Sequence, residues 1–232
     1  MQKQDRVKNQ EVILLYKKSL ITKLEYKFGR FAIQNFMTVI VGTMALVYVL
    51  DSMFMTRLGQ TLSSYLAFDR AAILGGEVWR LITFALIPPN SSLMFIIFSL
   101  YFYWIIGSTL EREWGAFKFN LFYFCGMLGI IIAGFITGYS TNYYLNMSLF
   151  FAFALLYPDF ELYLFFILPI KIKYLAFADL LLFCYSFIIS SWADRAAIVM
   201  SLINVAIFFF GDFKSMLLRA KYNYEMKKRF KR

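Results

Sequence analysis

Few residues of this sequence have side chains that could do chemistry, and most of those lie inside long apolar stretches. Histidine is absent from all 232 residues, which removes histidine metal ligands and every Ser-His or Cys-His nucleophile pair. Ser148 lies in an apolar run, but a serine hydroxyl is a weak nucleophile unless a neighbouring base takes its proton. The predicted helices around it offer no Lys, Asp or Glu for that task. The sequence therefore predicts neither a catalytic dyad, a metal site nor a cofactor.

Asp179 is the one acidic residue inside an apolar run. An intramembrane carboxylate is a functional hypothesis by default. Asp179 also follows Lys173 by about one and a half helical turns, so it could simply lie near the membrane interface. Both interpretations stay open. The other polar candidates, Asn146 and Asn204, are more typical of hydrogen bonds between helices.

The composition indicates an integral membrane protein. Hydrophobic residues make up 61% of the chain, whereas soluble domains average about 45–50%. The 28 phenylalanines and 16 tyrosines suit helices that meet lipid and end at headgroups. Cys125 and Cys184 both lie in apolar runs, where we expect buried packing residues rather than a disulfide.

Six apolar segments predict an all-α membrane domain over residues 32–211. The last three segments are shorter than the roughly 20 residues that a lipid-exposed span needs, so we expect them to be central or the bilayer to be thin beside them. Gly134 and Gly138 form a GxxxG spacing, which indicates close helix packing. The segments are Ala32–Leu50, Leu93–Leu110, Phe119–Tyr139, Tyr143–Tyr157, Tyr174–Ile189 and Ala196–Gly211.

The net charge of +10 is concentrated at the two ends of the chain. Of the 24 Lys and Arg residues, eight precede Phe31 and eight follow Gly211, while four lie in predicted cytoplasmic loops and four on the other side. This positive-inside bias predicts that both termini are cytoplasmic. Residues 1–31 are interpreted as a basic amphipathic segment and 212–232 as a basic tail. The first segment either lies in the cytoplasmic interface or is a solvated helix docked on the underside of the bundle. Both favour membrane lipid headgroups as partners over nucleic acid.

The stretch from Gly75 to Gly115 brackets the second segment with charge and tryptophan. Trp79 and Arg80 lie in a loop of about forty residues, Asp51–Ser92, which is too long for a simple connector. Its apolar content predicts that it lies partly in the outer leaflet. At the far end of the segment stands the turn Gly107-x-x-Leu-Glu-x-x-x-Gly115.

These two motifs resemble those of the rhomboid superfamily. Rhomboid-like proteins carry a Trp-Arg pair in a long first loop and a Gly-x-x-Leu-Glu-x-x-x-Gly turn after the second helix. The region from Tyr157 to Phe177 is more weakly similar. The resemblance implies a six-transmembrane-helix rhomboid-like bundle. The framework and client-binding candidates are Trp79, Arg80, Glu111, Arg112 and Gly115.

The sequence departs from the family's proteases at every catalytic position. Those proteases use a Gly-x-Ser-Gly serine on the fourth helix, a histidine on the sixth, and a histidine and asparagine on the second. Here Tyr143 falls near the nucleophile position, and Ser148 is the nearest serine. Ser99 falls near the asparagine, Phe95 near the second-helix histidine and Ile198 near the base. The resemblance therefore implies an inactive or Derlin-like member with a vestigial site.

Three functions follow from these observations. We expect a pseudoprotease that binds transmembrane segments of client membrane proteins without cleaving them. The alternatives are an active intramembrane serine protease with an atypical site and a transporter or lipid-handling protein. The compact chain favours a bacterial plasma membrane, with the endoplasmic reticulum as the location in a eukaryote.

Overall fold

The computed structural model describes residues 20–59, 61–89, 92–164, 168–192 and 194–209. Most of the predicted basic segment and the whole predicted basic tail lie outside these ranges. The described part is a helical bundle with two small sheets. Its helices are α1 Leu20–Phe28, α2 Phe36–Leu58, α3 Leu62–Leu66, α4 Arg70–Leu74, α5 Arg80–Thr83, α6 Leu93–Trp114, α7 Ala116–Thr137, α8 Tyr143–Leu156, α9 Ile172–Ile189 and α10 at 194–209.

Each of the six predicted segments coincides with one long helix: α2, α6, α7, α8, α9 or α10. Four of these helices are long and apolar enough to cross a membrane, namely α2, α6, α7 and α9. Helix α8 is apolar but shorter. The first boundary was wrong, since the helix begins at Phe36 and continues through Asp51 to Leu58. An all-α membrane protein is the right class, and the six-span count stays a prediction.

Side-chain contacts show that the beginning of α2 and the end of α10 lie at the same end of the bundle. Glu111, near the end of α6, binds the first backbone amides of α2. Trp114, at the end of α6, stacks near Phe208 of α10, with ring centroids 6.3 Å apart. We call this the turn side, and the opposite end, which carries the loop at 59–89, the loop side. Assigning the turn side to the cytoplasm stays a prediction from charge.

Helix α8 lies at the centre of the bundle. It packs against α6, α7 and α9, and nine of its 14 residues are buried. Small side chains such as Ser148 and Ala152, both 0% exposed, let its neighbours approach. The expectation that a short helix is shielded from lipid is therefore confirmed for α8.

Helix α9 lies at the edge of the bundle, so of the two alternatives given for the short segments, a central position is wrong for the fifth segment. Ile172 and Phe183 are its only buried residues. Its 18 residues are long enough to face lipid directly.

The two cysteines were predicted to be buried, and this prediction was wrong. Cys125 and Cys184 are both free and exposed, because each lies on an outward face of its helix.

The GxxxG spacing of α7 does not pack against another helix, contrary to prediction. A Cβ on Gly134 would lie 2.5 Å from the ring of Phe68, a loop residue. Gly138 ends α7 with φ +94°, a conformation that side chains rarely adopt. The close helix contact involves Gly126, where a Cβ would meet Leu145 of α8 and Asn204 of α10.

Two short antiparallel sheets lie at opposite ends of the bundle. On the loop side, β1 (Phe68–Asp69) pairs with β2 (Tyr139–Ser140). On the turn side, β3 (Glu161–Leu164) pairs with β4 (Leu168–Lys171) and connects α8 to α9. The first sheet attaches the long loop to the end of α7, so the loop is a folded part of the bundle.

Candidate functional site

Arg80 organises the inside of the loop. Its side chain is 7% exposed. Its Nε donates to Glu77 at 2.6 Å, and its Nη1 donates to the carbonyls of Ser64 and Ala67 at 2.8 Å each. Those carbonyls lie at and just after α3, where the chain leaves helical geometry and cannot satisfy them itself. Arg80 thus joins α3 to α5.

Trp79 has a different role from its neighbour. Its indole Nε1 donates to the carbonyl of Tyr65 at 3.3 Å, but the side chain is 49% exposed. An indole held at its polar edge with an open apolar face is typical of the membrane–water interface. The structure thus assigns Arg80 to the fold of the loop and leaves the face of Trp79 open for contact.

The loop docks on the bundle through apolar and polar contacts. Phe68 is 1% exposed and packs edge-on against Phe84 and Phe135, with centroids 6.0 and 5.6 Å away. The amide of Asn142, just before α8, donates to the carbonyls of Ala85 and Ile87 at 3.2 and 2.8 Å. The beginning of α8 is therefore fixed by the loop that covers it.

Glu111 caps a helix other than its own. Its Oε1 accepts from the amide of Phe36 at 3.1 Å, and its Oε2 accepts from the amide of Met37 at 3.3 Å. Both amides belong to the first turn of α2, which has no internal acceptors for them. A carboxylate there also interacts favourably with the positive end of the helix dipole. Glu111 thus stabilises the α2–α6 pair, and this contact explains the charged residue in the motif.

Gly107 and Gly115, the two glycines of this motif, allow α2, α6 and α7 to pack closely. A Cβ on Gly107 would lie 2.0 Å from Cγ of Met37, so α2 and α6 can approach only without a side chain there. Gly115 has φ +81° and lets α7 follow α6 with no intervening loop. The motif is therefore an α2–α6–α7 junction.

Arg112 and its neighbours face outward on the turn side. Arg112 is exposed. The hydroxyl of Tyr157 donates to Oε2 of Glu113 at 2.8 Å, and this hydrogen bond raises the pKa of Tyr157. The bond connects the end of α8 to the end of α6. Arg112 is thus the framework candidate on this side whose charged side chain is exposed.

The four vestigial-site candidates lie on three different helices, and their side chains differ in exposure. Ser148 is 0% exposed, and its Oγ donates to the carbonyl of Leu145 on its own helix at 2.7 Å. Ile198 on α10 is 2% exposed. Ser99 on α6 is half-buried, and Tyr143 at the start of α8 is 47% exposed. The serine proton is therefore engaged with the backbone, and Tyr143 is the accessible member of the set.

Tyr143 interacts electrostatically with polar side chains of two other helices. Tyr103 of α6 lies within electrostatic range of Tyr143 and within hydrogen-bonding range of Asn146. Asp179 of α9 also lies within electrostatic range of Tyr143. Three helices thus contribute to one polar patch among apolar residues. Sequence reasoning missed Tyr103 because a tyrosine in an aromatic-rich helix carries no distinguishing signal.

Helices α6 and α9 both lie near the beginning of α8. Helices α6 and α9 each pack on α8. Among the residues that the structure describes, α6 and α9 make no extensive contact with one another. Tyr143 lies between them. We call the region beside Tyr143 between α6 and α9 the lateral cleft.

A separate cleft of about 390 Å³ opens on the loop side. Asp51 lines it and accepts hydrogen bonds from the backbone and side chain of Ser63. Pro88 and Pro89 form another wall. Within the described ranges, no three Cys, Asp or Glu side chains come together as a set of metal ligands.

The fold and the apolar helices define a helical integral membrane protein. Residues 36–211 match the family described as "Eukaryotic integral membrane protein (DUF1751)", and the chain belongs to that family. None of the curated proteins compared with the chain matches it. The eukaryotic family favours the eukaryotic alternative over the bacterial plasma membrane that the sequence analysis preferred.

Proposed function

We propose that this protein is a rhomboid-like pseudoprotease that binds transmembrane segments of other membrane proteins at the lateral cleft without cleaving them. The observation that supports the proposal most directly is the exposure of Tyr143. It belongs to a central helix in which nine of 14 residues are buried, and it interacts electrostatically with Tyr103 of α6 and Asp179 of α9. A guest helix could enter from the lipid and contact α8 with little rearrangement.

The weak attachment of α9 supports the same proposal. The buried anchor Phe183 packs edge-on against Phe151 and Tyr144 of α8, with centroids 5.3 and 5.8 Å away. An edge helix held by few buried residues can move at low cost. Displacement of α9 would widen the lateral cleft for a client.

The lack of cleavage is part of the proposal. Ser148 is buried and donates its proton to a backbone carbonyl, and the sequence has no histidine to activate it. Labelling of the purified protein with a fluorophosphonate probe should give no signal. Labelling that disappears in Ser148→Ala would establish the protease alternative instead.

Site-specific photocrosslinking in native membranes tests client binding. A photoreactive residue replaces Tyr143 in the lateral cleft, and a matched control replaces Leu46, which is 57% exposed on α2. We expect discrete protein adducts from position 143 and none from position 46. Equal adducts from both positions, or lipid adducts alone, would contradict the proposal.

The location and orientation form a further part of the proposal. A eukaryotic member with basic termini fits the endoplasmic reticulum, with the turn side in the cytoplasm. Cysteine residues introduced at the two termini should react with an impermeant thiol reagent in selectively permeabilised cells. Protection of either terminus would refute the orientation, and imaging of a tagged chain tests the organelle.

A further inference from the structure

The cleft of about 390 Å³ on the loop side contains a carboxylate that a ligand can reach. Asp51 of α2 lines this cleft and is half-buried. Counted from Phe36, it lies about 22 Å along the helix, which places it near the loop-side boundary of a hydrocarbon layer about 30 Å thick. A carboxylate inside a membrane helix is a functional hypothesis by default. We call this cavity the Asp51 cleft.

Asp51 has acceptor capacity left beyond its contacts within the fold. Its Oδ1 accepts from the amide of Ser63 at 2.8 Å, and its Oδ2 accepts from the hydroxyl of the same residue. A carboxylate can accept about four hydrogen bonds. None of the ion pairs among the described residues includes Asp51. Arg80, the buried cation of the loop, is engaged with Glu77 and two carbonyls. The carboxylate can therefore take a further donor from the cleft.

The walls of the Asp51 cleft favour a cation over an anion. Tyr48, Ser52 and Thr61 bring hydroxyl groups to the lining, while Pro88 and Pro89 form an apolar wall. A primary ammonium group suits these walls, because carboxylate and hydroxyl oxygens accept its hydrogen bonds and an aromatic ring attracts its charge. An anionic group would face the carboxylate with no cation among the described lining residues.

The position of the cleft on α2 indicates a ligand with an apolar tail. Met55 lines the cleft and is 57% exposed, and Val49 and Met53 of the same helix are 55% and 51% exposed. A ligand whose head occupies the cleft can therefore lay a tail along this apolar surface. The volume of about 390 Å³ is at the lower end of the roughly 300–1,000 Å³ of small-molecule sites. It fits a headgroup rather than a whole lipid.

We infer that the Asp51 cleft binds the ethanolamine headgroup of a phospholipid from the leaflet on the loop side. The ammonium group donates to Asp51, the acyl chains lie along α2, and the phosphate stays at the mouth of the cleft, where water solvates it. None of the described lining residues belongs to the lateral cleft. The site is therefore separate from client binding, and its test does not depend on a client.

Photolabelling of the full chain in phosphatidylcholine vesicles tests the inference. Two photoreactive lipids carry the same acyl chains, with the reactive group next to the glycerol, and have either an ethanolamine or a choline headgroup. Both headgroups have the same net charge, but choline has no N–H donor. We expect roughly tenfold more adduct on the loop-side half of α2 from the ethanolamine lipid, because a hydrogen bond to a charged group contributes about that much.

Competition distinguishes a membrane lipid from a soluble amine. Unlabelled phosphatidylethanolamine should displace the photoreactive lipid, whereas soluble phosphoethanolamine at the same concentration should not, since it has no chains to lie along α2. Equal displacement by both compounds would refute a membrane lipid as the ligand.

A substitution of the carboxylate locates the effect. Asp51→Asn keeps an acceptor for Ser63 but removes the charge, so labelling by the ethanolamine lipid should fall to the level of the choline lipid. The matched control is Asp69→Asn. Asp69 is a second loop-side carboxylate, which accepts from the amides of Ala71 and Ala72 outside the cleft. This control should keep the preference.

Filling the cleft gives a second test that leaves the carboxylate in place. Met55→Trp narrows the cleft and should abolish the preference, whereas Met53→Trp, at an exposed position of α2 that does not line the cleft, should keep it. Thermal unfolding checks that each variant is folded, and the Met55 pair decides the matter if Asp51→Asn does not fold. Equal labelling by the two lipids, or a preference that survives Asp51→Asn or Met55→Trp, would overturn the inference.

Discussion

Helices α8 and α9 are similar as sequences but very different as parts of the bundle. Both are apolar and follow one another along the chain. Nine residues of α8 are buried, against two of α9. In a soluble protein the exposed helix would have a polar face, but lipid is as apolar as the interior. Apolar character therefore does not distinguish the centre of a membrane bundle from its edge.

The sizes of the residues on each helix help to distinguish the central helix from the edge helix. Ser148, Ala152 and Ala154 of α8 are small and buried, so three neighbouring helices can approach it. The exposed residues of α9 are larger, among them Leu181, Tyr185 and Ile188. We expect α8 to be the fixed element of the fold and α9 to open more easily. Four predictions test this contrast.

The largest effect is expected from enlarging a small residue of α8. Ala152 is 0% exposed, so Ala152→Leu forces extra methylenes into a packed centre and should destabilise the protein by about 3 kcal/mol. The matched control is Ala178→Leu on exposed α9 surface, where we expect a change within about 0.5 kcal/mol. Denaturant unfolding in detergent measures both. An equal loss of stability in Ala152→Leu and Ala178→Leu would show that α8 and α9 are packed equally tightly.

A smaller, local effect is expected from removing the anchor of α9. Phe183 is 3% exposed. Phe183→Ala should lower the free energy of opening of α9 by about 2 kcal/mol, less than the roughly 3–5 kcal/mol of a soluble core, because lipid replaces part of the lost contact. Amide hydrogen exchange should then be about thirtyfold faster in α9 and unchanged in α8. Phe187→Ala, at an exposed position, is the control. Faster exchange throughout the bundle would show that α9 does not open independently.

Substitution by alanine is expected to change the stability of the protein in opposite directions at two glycines. Gly126→Ala places a Cβ 2.6 Å from Leu145 of α8 and should cost about 1–2 kcal/mol. Gly42→Ala on α2 meets nothing within 4 Å and should stabilise the helix by about 0.5 kcal/mol. Thermal unfolding compares them. Stabilisation by both would mean that α7 and α8 are not in close contact.

The smallest effect concerns the turn that connects α8 to α9. The hydrogen bonds from Lys173 and Lys171 hold the pKa of Asp159 below its ordinary value of 3.8. Because the folded-state pKa is the lower one, the stabilisation is present above the unfolded-state pKa. It is lost as the pH falls through the folded-state pKa. The pair is exposed, so the contribution is small.

The variant Asp159→Asn tests whether the stabilisation by Asp159 is lost as the pH falls. The variant should have a slightly lower unfolding temperature than the unsubstituted protein at neutral pH. The difference should disappear once the pH is well below 3.8. A difference that persists in acid would show that the carboxylate charge is not its source.

Much of the helical framework could be predicted from the sequence, because its signals are local. A run of apolar residues ended by charge or glycine predicts a helix, and each of the six segments lies on one, four of them long and apolar enough to cross a membrane. The spacing from Gly107 to Gly115 also identified a specialised turn. Its physical role could not be read from the sequence, since the partner amides of Glu111 lie at Phe36 and Met37, far away along the chain.

The candidate site was predicted only in part, for the same reason. Ser148 and Asp179 could be singled out because polar residues are rare in apolar runs. Tyr103 could not, and neither could the open position of Tyr143 between α6 and α9. The GxxxG spacing was misassigned to a helix partner because Phe68, which fills the space at Gly134, lies in a distant loop.

The sequence by itself determined the membrane class, the helices and the absence of histidine, because these depend on composition and local order. The tertiary structure alone decided which short helix is central, which is at the edge, and which polar groups share a patch. These outcomes depend on packing between residues far apart in the chain, and in an apolar sequence hydropathy does not encode that packing.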